Sequence, residues 1–171
     1  MTKNDISIWL DTYDDIFSDF DFRPYSEKAL SDDFLKEVGK FCNEKEEKVN
    51  EVKLFLPADK RNSDDEKIIT DRLTYYFKKS QNLLHSQSHN LWIKGISFAL
   101  IGSILMLIAS YISSLQSQQF LLNSLLVLFE PAGWFLVWAG LDIMFYTASK
   151  NKKELNFYNK LSKSKISFFS I

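Results

Sequence analysis

Few residues of this chain have the type and spacing that chemistry requires, and two of them are histidines. His85 and His89 stand four residues apart, so one helix face would present both imidazoles to a transition metal. Because no Asp, Glu or Cys lies near them in sequence, a metal site there would need the same pair from a second copy. The alternative is a solvated helix face, and we predict neither a metal nor a cofactor for the single chain.

A cluster of carboxylates near the N-terminus is the second candidate. Aspartates stand at positions 11, 14, 15, 19 and 21, without the glycine and the alternating oxygen ligands of a calcium loop. Asp11, Asp15 and Asp19 have the spacing of one acidic face on a helix. We interpret this face as solvated or as a docking surface for a basic cytoplasmic partner. Its negative charge argues against nucleic acid as a partner, because phosphates are also negative.

Nucleophilic catalysis has no candidate residues. The chain has one cysteine, Cys42, two histidines close together in sequence, and five glycines that form no phosphate-binding loop. We therefore expect no enzymatic activity. A single cysteine also excludes a disulfide within the chain and suits a reducing compartment.

A long apolar stretch is the most informative feature of the sequence. Between Lys94 and Lys150 lie 55 residues with two formal charges, those of Glu130 and Asp142. One crossing of a bilayer needs about 20 apolar residues, so this stretch is long enough to cross twice. We therefore predict a membrane α-helical hairpin with two spans.

The first span is predicted at roughly Leu91–Ser114, and the second lies within Phe120–Ser149. A short uncharged loop at about 113–119 joins them. A helix over all of Phe120–Ser149 would be about 45 Å long, whereas the apolar core of a bilayer is about 30 Å thick. Some part of this segment therefore has to lie outside the core or cross it with a kink.

Pro131 offers two ways to accommodate that length. It begins the spanning helix, with residues 120–129 as a separate helix in the interface, or the whole segment spans with a kink. The kinked arrangement would place Glu130 inside the membrane. We expect the first arrangement, because an unpaired buried carboxylate costs several kcal/mol and a proline at a helix start costs nothing.

Basic residues flank the apolar stretch on both sides. Residues 67–94 have a net charge of +4 and residues 150–171 one of +5, whereas residues 1–66 have a net charge of −8. Since Lys and Arg are retained on the cytoplasmic side of a membrane, we expect both termini in the cytoplasm. The first five residues contain no basic region followed by an apolar run, so we expect no cleavable signal peptide.

Small residues recur in both predicted spans, in pairs seven positions apart. Small residues let helix backbones approach closely, which is how helices associate in lipid. They would pack the two spans of one hairpin together, pack neighbouring protomers, or do both. The predicted packing residues are Gly95, Ala99, Gly102, Ala132, Gly133, Ala139 and Gly140.

Asp142 is the charged residue of the hairpin that is hardest to explain. It precedes Lys150 by about 12 Å of helix, and ionisable residues at such depth face a bundle interior or a wet cavity. Asp142 would line a cation-attracting pore in an oligomer, form a salt bridge to Lys94, or lie at the inner headgroups. We expect Asp142→Leu to be the most damaging substitution, and Glu130 is the second intramembrane carboxylate to consider.

The sequence outside the hairpin predicts a small cytoplasmic α+β domain built from both termini. Alternating apolar residues predict strands at 6–10, 51–56 and 166–171, which we expect to form one sheet. Helical spacing predicts helices over 11–20, from Ser31, from Ser63 into the first span, and over Glu154–Leu161. The predicted parts of the chain are residues 1–90, 91–149 and 150–171.

Three segments carry distinctive motifs of acidic and aromatic residues: Trp9–Pro24, Ala29–Phe34 and Glu130–Asp142. Together with Leu155-x-Phe-Tyr158 and the terminal Ile-x-Phe-Phe, they resemble a group of uncharacterised small bacterial membrane proteins with two spans. The resemblance implies a setting in the bacterial inner membrane and no particular reaction. An acid often stands in that group where this chain has Ala139.

Two functions fit these predictions. A protomer with two spans is too small to enclose a path, so we expect a homo-oligomer in the bilayer that conducts ions or is gated at its cytoplasmic heads. The alternative is a membrane-anchored adaptor that docks a cytoplasmic protein through Asp11, Asp15 and Asp19. Ion flux is expected for the first function and not for the second.

Overall fold

A computed structural model describes residues 4–44, 48–115 and 119–171, with the backbone alone for residues 43, 44 and 148–150. This part of the chain is mostly helical and contains a small parallel sheet. It divides into two compact units. We call the unit formed by residues up to Leu83 and from Glu154 onward the head, and the unit Leu84–Lys153 the hairpin.

The described residues form three strands and four α-helices. The strands are β1 (Asp5–Trp9), β2 (Glu51–Leu56) and β3 (Lys165–Ser170). The helices are α1 (Asp32–Glu44), α2 (Ser63–Ser114), α3 (Phe120–Asp142) and α4 (Ala148–Leu161). Short 3-10 turns cover Tyr13–Ile16 and Ala58–Lys60, and a π-helical turn covers Ile143–Thr147.

The sheet joins the two ends of the chain. β2 is the central strand and pairs in parallel with β1 on one side and β3 on the other, which aligns Ile6, Val52 and Ile166. Parallel neighbours need a crossover connection, and α1 supplies it between β1 and β2. The connection from β2 to β3 contains the entire hairpin, so strands from both ends of the chain form the sheet of the head.

The core of the head lies against one face of this sheet. Val52, Leu54 and Leu56 alternate along β2 and are almost completely buried. Helices α1, α2 and α4 add buried apolar side chains at Val38, Ile69, Leu73, Phe77 and Leu161. The opposite face carries an aromatic row in register, Trp9, Phe55 and Phe169, whose last two rings stack at 5.5 Å.

The predicted helix over residues 11–20 is wrong. A single 3-10 turn, Tyr13–Ile16, forms there, and Phe17 then makes an isolated antiparallel bridge with Leu30. The apolar side chains of the turn are still buried, because Tyr13, Ile16 and Phe17 pack into the core. Helical spacing therefore agrees with the burial of these three side chains and does not give the backbone conformation.

Hydrogen bonds to an aspartate side chain explain why a turn forms here and not the predicted helix. The carboxylate of Asp15 accepts hydrogen bonds from the backbone N–H groups of Asp11 and Thr12, at 2.7 and 2.9 Å. Aspartate side chains compete with helix formation by bonding nearby backbone groups in this way. Asp15 therefore fixes the start of the turn.

The helices of the hairpin are longer than the minimum for one crossing. α2 is continuous from Ser63 to Ser114, as predicted, and α3 is continuous from Phe120 to Asp142 with Pro131 inside it. Pro131 therefore does not begin a separate helix, and residues 120–129 belong to α3. The predicted loop at 113–119 lies partly outside the described residues, at 116–118.

Length and composition make two runs of the described chain suitable for crossing a bilayer, α2 and the helical run Phe120–Leu161. In contrast to the head, the hairpin has little core of its own. Among the described hairpin residues, Ala109 is the one apolar side chain that is buried, beside the buried glycines. Its large apolar side chains point outward.

Truncation of the core should destabilise the head. Leu54→Ala removes a fully buried side chain from the central strand and is expected to lower the free energy of unfolding by about 2–5 kcal/mol. The matched control is Leu83→Ala, because Leu83 is 53% exposed, and it should change stability by less than about 0.5 kcal/mol. Denaturant unfolding of the detergent-solubilised chain, followed by circular dichroism, measures both, and equal effects would contradict this core.

Candidate functional site

Two pairs of glycines bring α2 and α3 into backbone contact. A Cβ atom added to Gly102 would lie 2.6 Å from the carbonyl oxygen of Gly133, and one added to Gly140 would lie 2.6 Å from that of Gly95. Both distances are shorter than a carbon atom tolerates, so each contact requires a residue without a side chain. The predicted small residues are thus used within one hairpin at these four positions.

The other predicted packing residues have different surroundings. Ala99 lies at the second crossing, where its backbone nitrogen would be 2.7 Å from a Cβ at Gly140. Ala132 is exposed and Ala139 is partly exposed. Ala109, which was not predicted, is buried and continues the spacing of seven from Gly102.

These contacts fix which residues of the two helices stand at the same height. Gly95 is opposite Gly140, so Lys94 and Asp142 lie near one end of the antiparallel pair. Glu130 is 10 residues from the start of α3 and 12 from its end, which is about 15 Å and 18 Å of helix. Glu130, and not Asp142, is therefore the carboxylate halfway along α3.

Glu130 lines a groove between the two helices. The groove has a volume of about 490 Å³ and opens between α2 and α3. Its other lining residues are Met106, Ala109, Ser110, Ser113, Ser114 and Leu126. The serines lie on the last turns of α2, so hydroxyl groups line the groove from the height of Glu130 toward the end of α2.

The groove can hold water or a hydrated cation. Each serine hydroxyl offers one donor and two acceptor positions, and the carboxylate of Glu130 offers acceptors alone when it is ionised. The sequence indicates Glu130 as an intramembrane carboxylate but does not indicate these serines beside it, because Ser113 and Ser114 fall where the predicted first span and the predicted loop overlap. Their spacing from Ser110 on a continuous helix is the signal that identifies them.

Asp142 and Glu130 are both exposed, and Glu130 is the one of the two that lines the groove. Asp142 lies at the last position of α3, just before the π-helical turn. Among described residues it forms no salt bridge, and the Lys94 ammonium lies over the ring of Phe98, 5.7 Å from its centre. The predicted Lys94–Asp142 pair is therefore not formed.

The outer surface of the hairpin is apolar. Large exposed side chains cover both helices, among them Leu100, Leu107, Leu121, Leu128, Trp134, Phe135 and Trp138. The exposed hydroxyls of Ser97, Ser103 and Ser124 donate to carbonyls of their own helices, at 2.8, 2.8 and 2.9 Å. These three hydroxyls are thus satisfied without water, as the interior of a bilayer requires.

The histidine pair remains a solvent-facing feature of α2. His85 and His89 are both exposed. Within the described ranges, no three His, Cys, Asp or Glu residues are grouped so that they could hold a metal ion. A metal shared between copies of the chain stays a prediction.

The three aspartates predicted to form one docking face are separated by the turn. Asp11 is exposed beside the turn, Asp15 bonds the backbone, and Asp19 lines a groove of about 530 Å³ with Asp32 and Asp33. Phe20 and Phe22 follow, and their side chains are 96% and 98% exposed. Phe20 has the helical spacing of the buried Tyr13, Ile16 and Phe17, yet the structure presents it to solvent.

Asp21 holds this segment in place. Its carboxylate accepts hydrogen bonds from the guanidinium of Arg23, at 2.7 Å, and from the backbone N–H of Ala29, also at 2.7 Å. These hydrogen bonds, first those from Arg23, lower the pKa of the Asp21 carboxyl well below its usual range. The guanidinium of Arg72 on α2 donates to the carbonyls of Glu27 and Lys28 and anchors the returning chain.

No family model, no curated protein and no solved structure matches this chain. The groove at Glu130 and the acidic segment around Phe20 and Phe22 therefore carry the functional interpretation through their own geometry.

The glycine contacts predict opposite effects for two Gly→Ala substitutions. Gly102→Ala places a methyl group against the backbone of α3 and should destabilise the hairpin by about 1–3 kcal/mol. Gly39→Ala, inside α1, meets the ring of Phe157 at an ordinary 3.8 Å and should stabilise its helix by up to about 1 kcal/mol. Thermal unfolding of both variants measures the signs, and stabilisation by Gly102→Ala would contradict the close crossing.

Asp21 should make the head less stable in acid. Since its pKa is lower in the folded head than in the unfolded chain, the carboxylate contributes stability above about pH 4. That contribution is lost as the pH falls from about 4 toward the folded pKa. Asp21→Asn should therefore reduce the difference in denaturant midpoint between pH 6 and pH 3, whereas Asp59→Asn in an exposed turn should leave it unchanged.

Proposed function

We propose that this chain is a homo-oligomeric protein of the bacterial inner membrane that conducts cations along a path containing Glu130. Both termini lie in the cytoplasm, and α2 and α3 of each protomer cross the bilayer. The head supplies the cytoplasmic surface at which assembly or gating is controlled. The observation that carries this proposal is the position of Glu130, halfway along α3 in a serine-lined groove.

The outward apolar surface supports the crossing. Soluble monomers rarely expose apolar patches larger than a few hundred Å², whereas lipid accommodates side chains such as Leu107 and Phe135. From Lys94 to Ser114, α2 rises about 30 Å, which matches the apolar thickness of a bilayer. Basic residues on both sides of the hairpin favour cytoplasmic termini.

The cost of a charge in lipid supports a wet environment for Glu130. A charged side chain at the centre of a spanning helix costs about 2.5–3.5 kcal/mol, and such residues face water-filled cavities or other polar groups. The groove meets that requirement on one side through Ser110, Ser113 and Ser114. Asp142 lies near Lys94 at the end of the pair, which favours a place at the inner headgroups.

Two helices cannot surround an ion path, which supports an oligomer. Because the groove is open on one side, neighbouring copies would have to close it. Rings of carboxylates in such assemblies attract cations. The heads, with their exposed Phe20 and Phe22, offer surfaces through which copies associate or a signal acts.

A membrane-anchored adaptor is the second candidate function. The exposed pair Phe20 and Phe22, flanked by Asp19, Asp32 and Asp33, is the observation that favours it. An apolar anchor within a charged rim is typical of a docking surface for another protein. This function requires no flux through the hairpin.

Flux measurements on reconstituted protein test the path. Purified full-length chain in liposomes should conduct protons or potassium, detected with an enclosed dye. Glu130→Gln should lower the flux at least about tenfold, because that factor corresponds to about 1.4 kcal/mol, a modest interaction between two charges in a partly dry site. Asp142→Asn is the matched control and should change the flux much less, since Asp142 lies at the end of α3.

Two results would contradict this assignment. Equal flux through Glu130→Gln and wild-type vesicles would remove Glu130 from the path. If Asp142→Asn abolishes the flux and Glu130→Gln retains it, the cation path contains Asp142 and not Glu130. No flux in wild-type vesicles that contain assembled protein would favour the adaptor.

A further inference from the structure

Two aromatic side chains are displayed on an ordered, acidic part of the head. Phe20 and Phe22 are almost fully exposed, yet the backbone around them is hydrogen-bonded: Ser18 N–H donates to Ala29 O at 2.9 Å, and Asp21 N–H to Ser18 O at 3.1 Å. The neighbouring groove is lined by Asp15, Asp19, Asp32 and Asp33. We call this groove and the two phenylalanines the acidic surface.

A basic groove lies elsewhere on the same head. It has a volume of about 390 Å³ and combines three lysines with three asparagines above the buried side chain of Val49. The lining residues are Lys48, Val49, Asn50, Asn156, Asn159, Lys160 and Lys163. We call it the basic groove.

The two surfaces stand at opposite ends of α1. Asp32 and Asp33 of the acidic surface begin this helix, and the carbonyl of Cys42 near its other end accepts a hydrogen bond from Lys160 of the basic groove, at 3.4 Å. Ten residues of helix separate Asp32 from Cys42, which is about 15 Å. The acidic surface and the basic groove of one head therefore cannot pair with each other.

Both surfaces keep charges that have no ionic partner among the described residues of the head. Of the acidic residues, neither Asp19 nor Asp32 forms a salt bridge with a described residue, and the same holds for Lys48 and Lys163 of the basic groove. Opposite charges are thus displayed at two places on one surface. A second copy of the chain supplies the complement of each.

We propose that the acidic surface of one head docks into the basic groove of the next copy of this chain. This inference rests on the proposed homo-oligomer and gives the contact that builds it. The contact pairs Asp19 and Asp32 with Lys48 and Lys163, and it covers the rings of Phe20 and Phe22 with lysine stems and asparagine side chains. Lysine suits this role, because its stem packs on apolar surface and its ammonium group is attracted to an aromatic face.

The charge around the phenylalanines disfavours the lipid surface as the occupant. Segment 11–33 contains eight acidic and two basic residues. The cytoplasmic leaflet is negatively charged and attracts basic segments, so it repels this one. A basic protein surface is the complementary occupant, and this chain carries one.

Membrane insertion would turn this contact into a closed assembly. Because the contact joins two different surfaces, it is heterologous, and such contacts give either rings or open filaments. Copies inserted with the same orientation are related by an axis along the membrane normal, which favours a ring. Confinement of the copies in one bilayer also raises their effective concentration, so a modest contact suffices.

Charge exchange in the full-length chain tests the contact. The acidic variant Asp19→Lys with Asp32→Lys, and the basic variant Lys48→Glu with Lys163→Glu, should each lose the species larger than a protomer in native mass spectrometry of nanodiscs. The four substitutions in one chain should restore them, because the exchanged charges are again complementary. The matched control is Asp59→Lys with Asp64→Lys. Asp59 lies in the 3-10 turn Ala58–Lys60 and Asp64 in the first turn of α2, and both are outside the two surfaces.

A cross-link distinguishes this contact from a symmetric one. In a Cys42→Ala background, Asp19→Cys combined with Lys163→Cys should give a ladder of disulfide-linked chains under mild oxidation. Either cysteine alone should give no linked species. Dimers from Asp19→Cys alone would mean that two acidic surfaces face each other, which would overturn the proposal.

The remaining outcomes separate this proposal from the proposed function. Wild-type oligomers that persist in both charge variants would overturn the head contact and leave the homo-oligomer standing. A wild-type chain that is monomeric in nanodiscs would overturn both. If the acidic variant loses the oligomer and the fourfold variant does not regain it, the contact would also be overturned. That result would point to another basic partner.

Discussion

The backbone contacts at Gly95–Gly140 and Gly102–Gly133 set the geometry of the hairpin. Once two helices touch at two points seven residues apart, their relative register has no freedom left. That register places Glu130 beside the groove residues of α2 and Asp142 near Lys94. The depth of each carboxylate, on which every functional interpretation of the hairpin depends, therefore follows from four residues without side chains.

The same contacts explain how the hairpin holds together without a core. Helices that associate in lipid have no hydrophobic drive between them and rely on close packing of backbones and on small residues. Gly95 and Gly102 provide that approach from α2, and Ala109 extends it toward the groove. Leucine, phenylalanine and tryptophan side chains are then free to face outward, where they cover the hairpin with apolar surface.

The head obeys a different constraint, because its sheet is parallel. The central strand β2 can be completed only when β3, from the end of the chain, returns beside it. The hairpin is therefore an insertion between two neighbouring strands of one sheet. The acidic segment after β1 is shaped by its aspartates, which bond the backbone at Asp15 and Asp21 and leave Phe20 and Phe22 exposed.

The sequence by itself determined the strands and helices that a pattern of neighbouring residues is enough to identify. The three strands, α1, the continuous α2 and the apolar hairpin follow from alternation, helical spacing and the lack of charge, and each was placed within a few residues. Local signal was insufficient for residues 11–20, where apolar spacing fits a helix but aspartate hydrogen bonds favour a turn. It was also insufficient at Pro131, because a proline is tolerated inside α3 as well as at a helix start.

Tertiary structure alone decided the properties that depend on contacts between segments distant in sequence. Pairing of the strands in parallel, the use of the glycines within one hairpin and the equal height of Lys94 and Asp142 all require the register of two distant segments. The groove of Glu130 needs serines from α2 and the carboxylate from α3, which lie at least 16 residues apart in sequence. Spacing along one chain cannot report such contacts, since they depend on how close two backbones come.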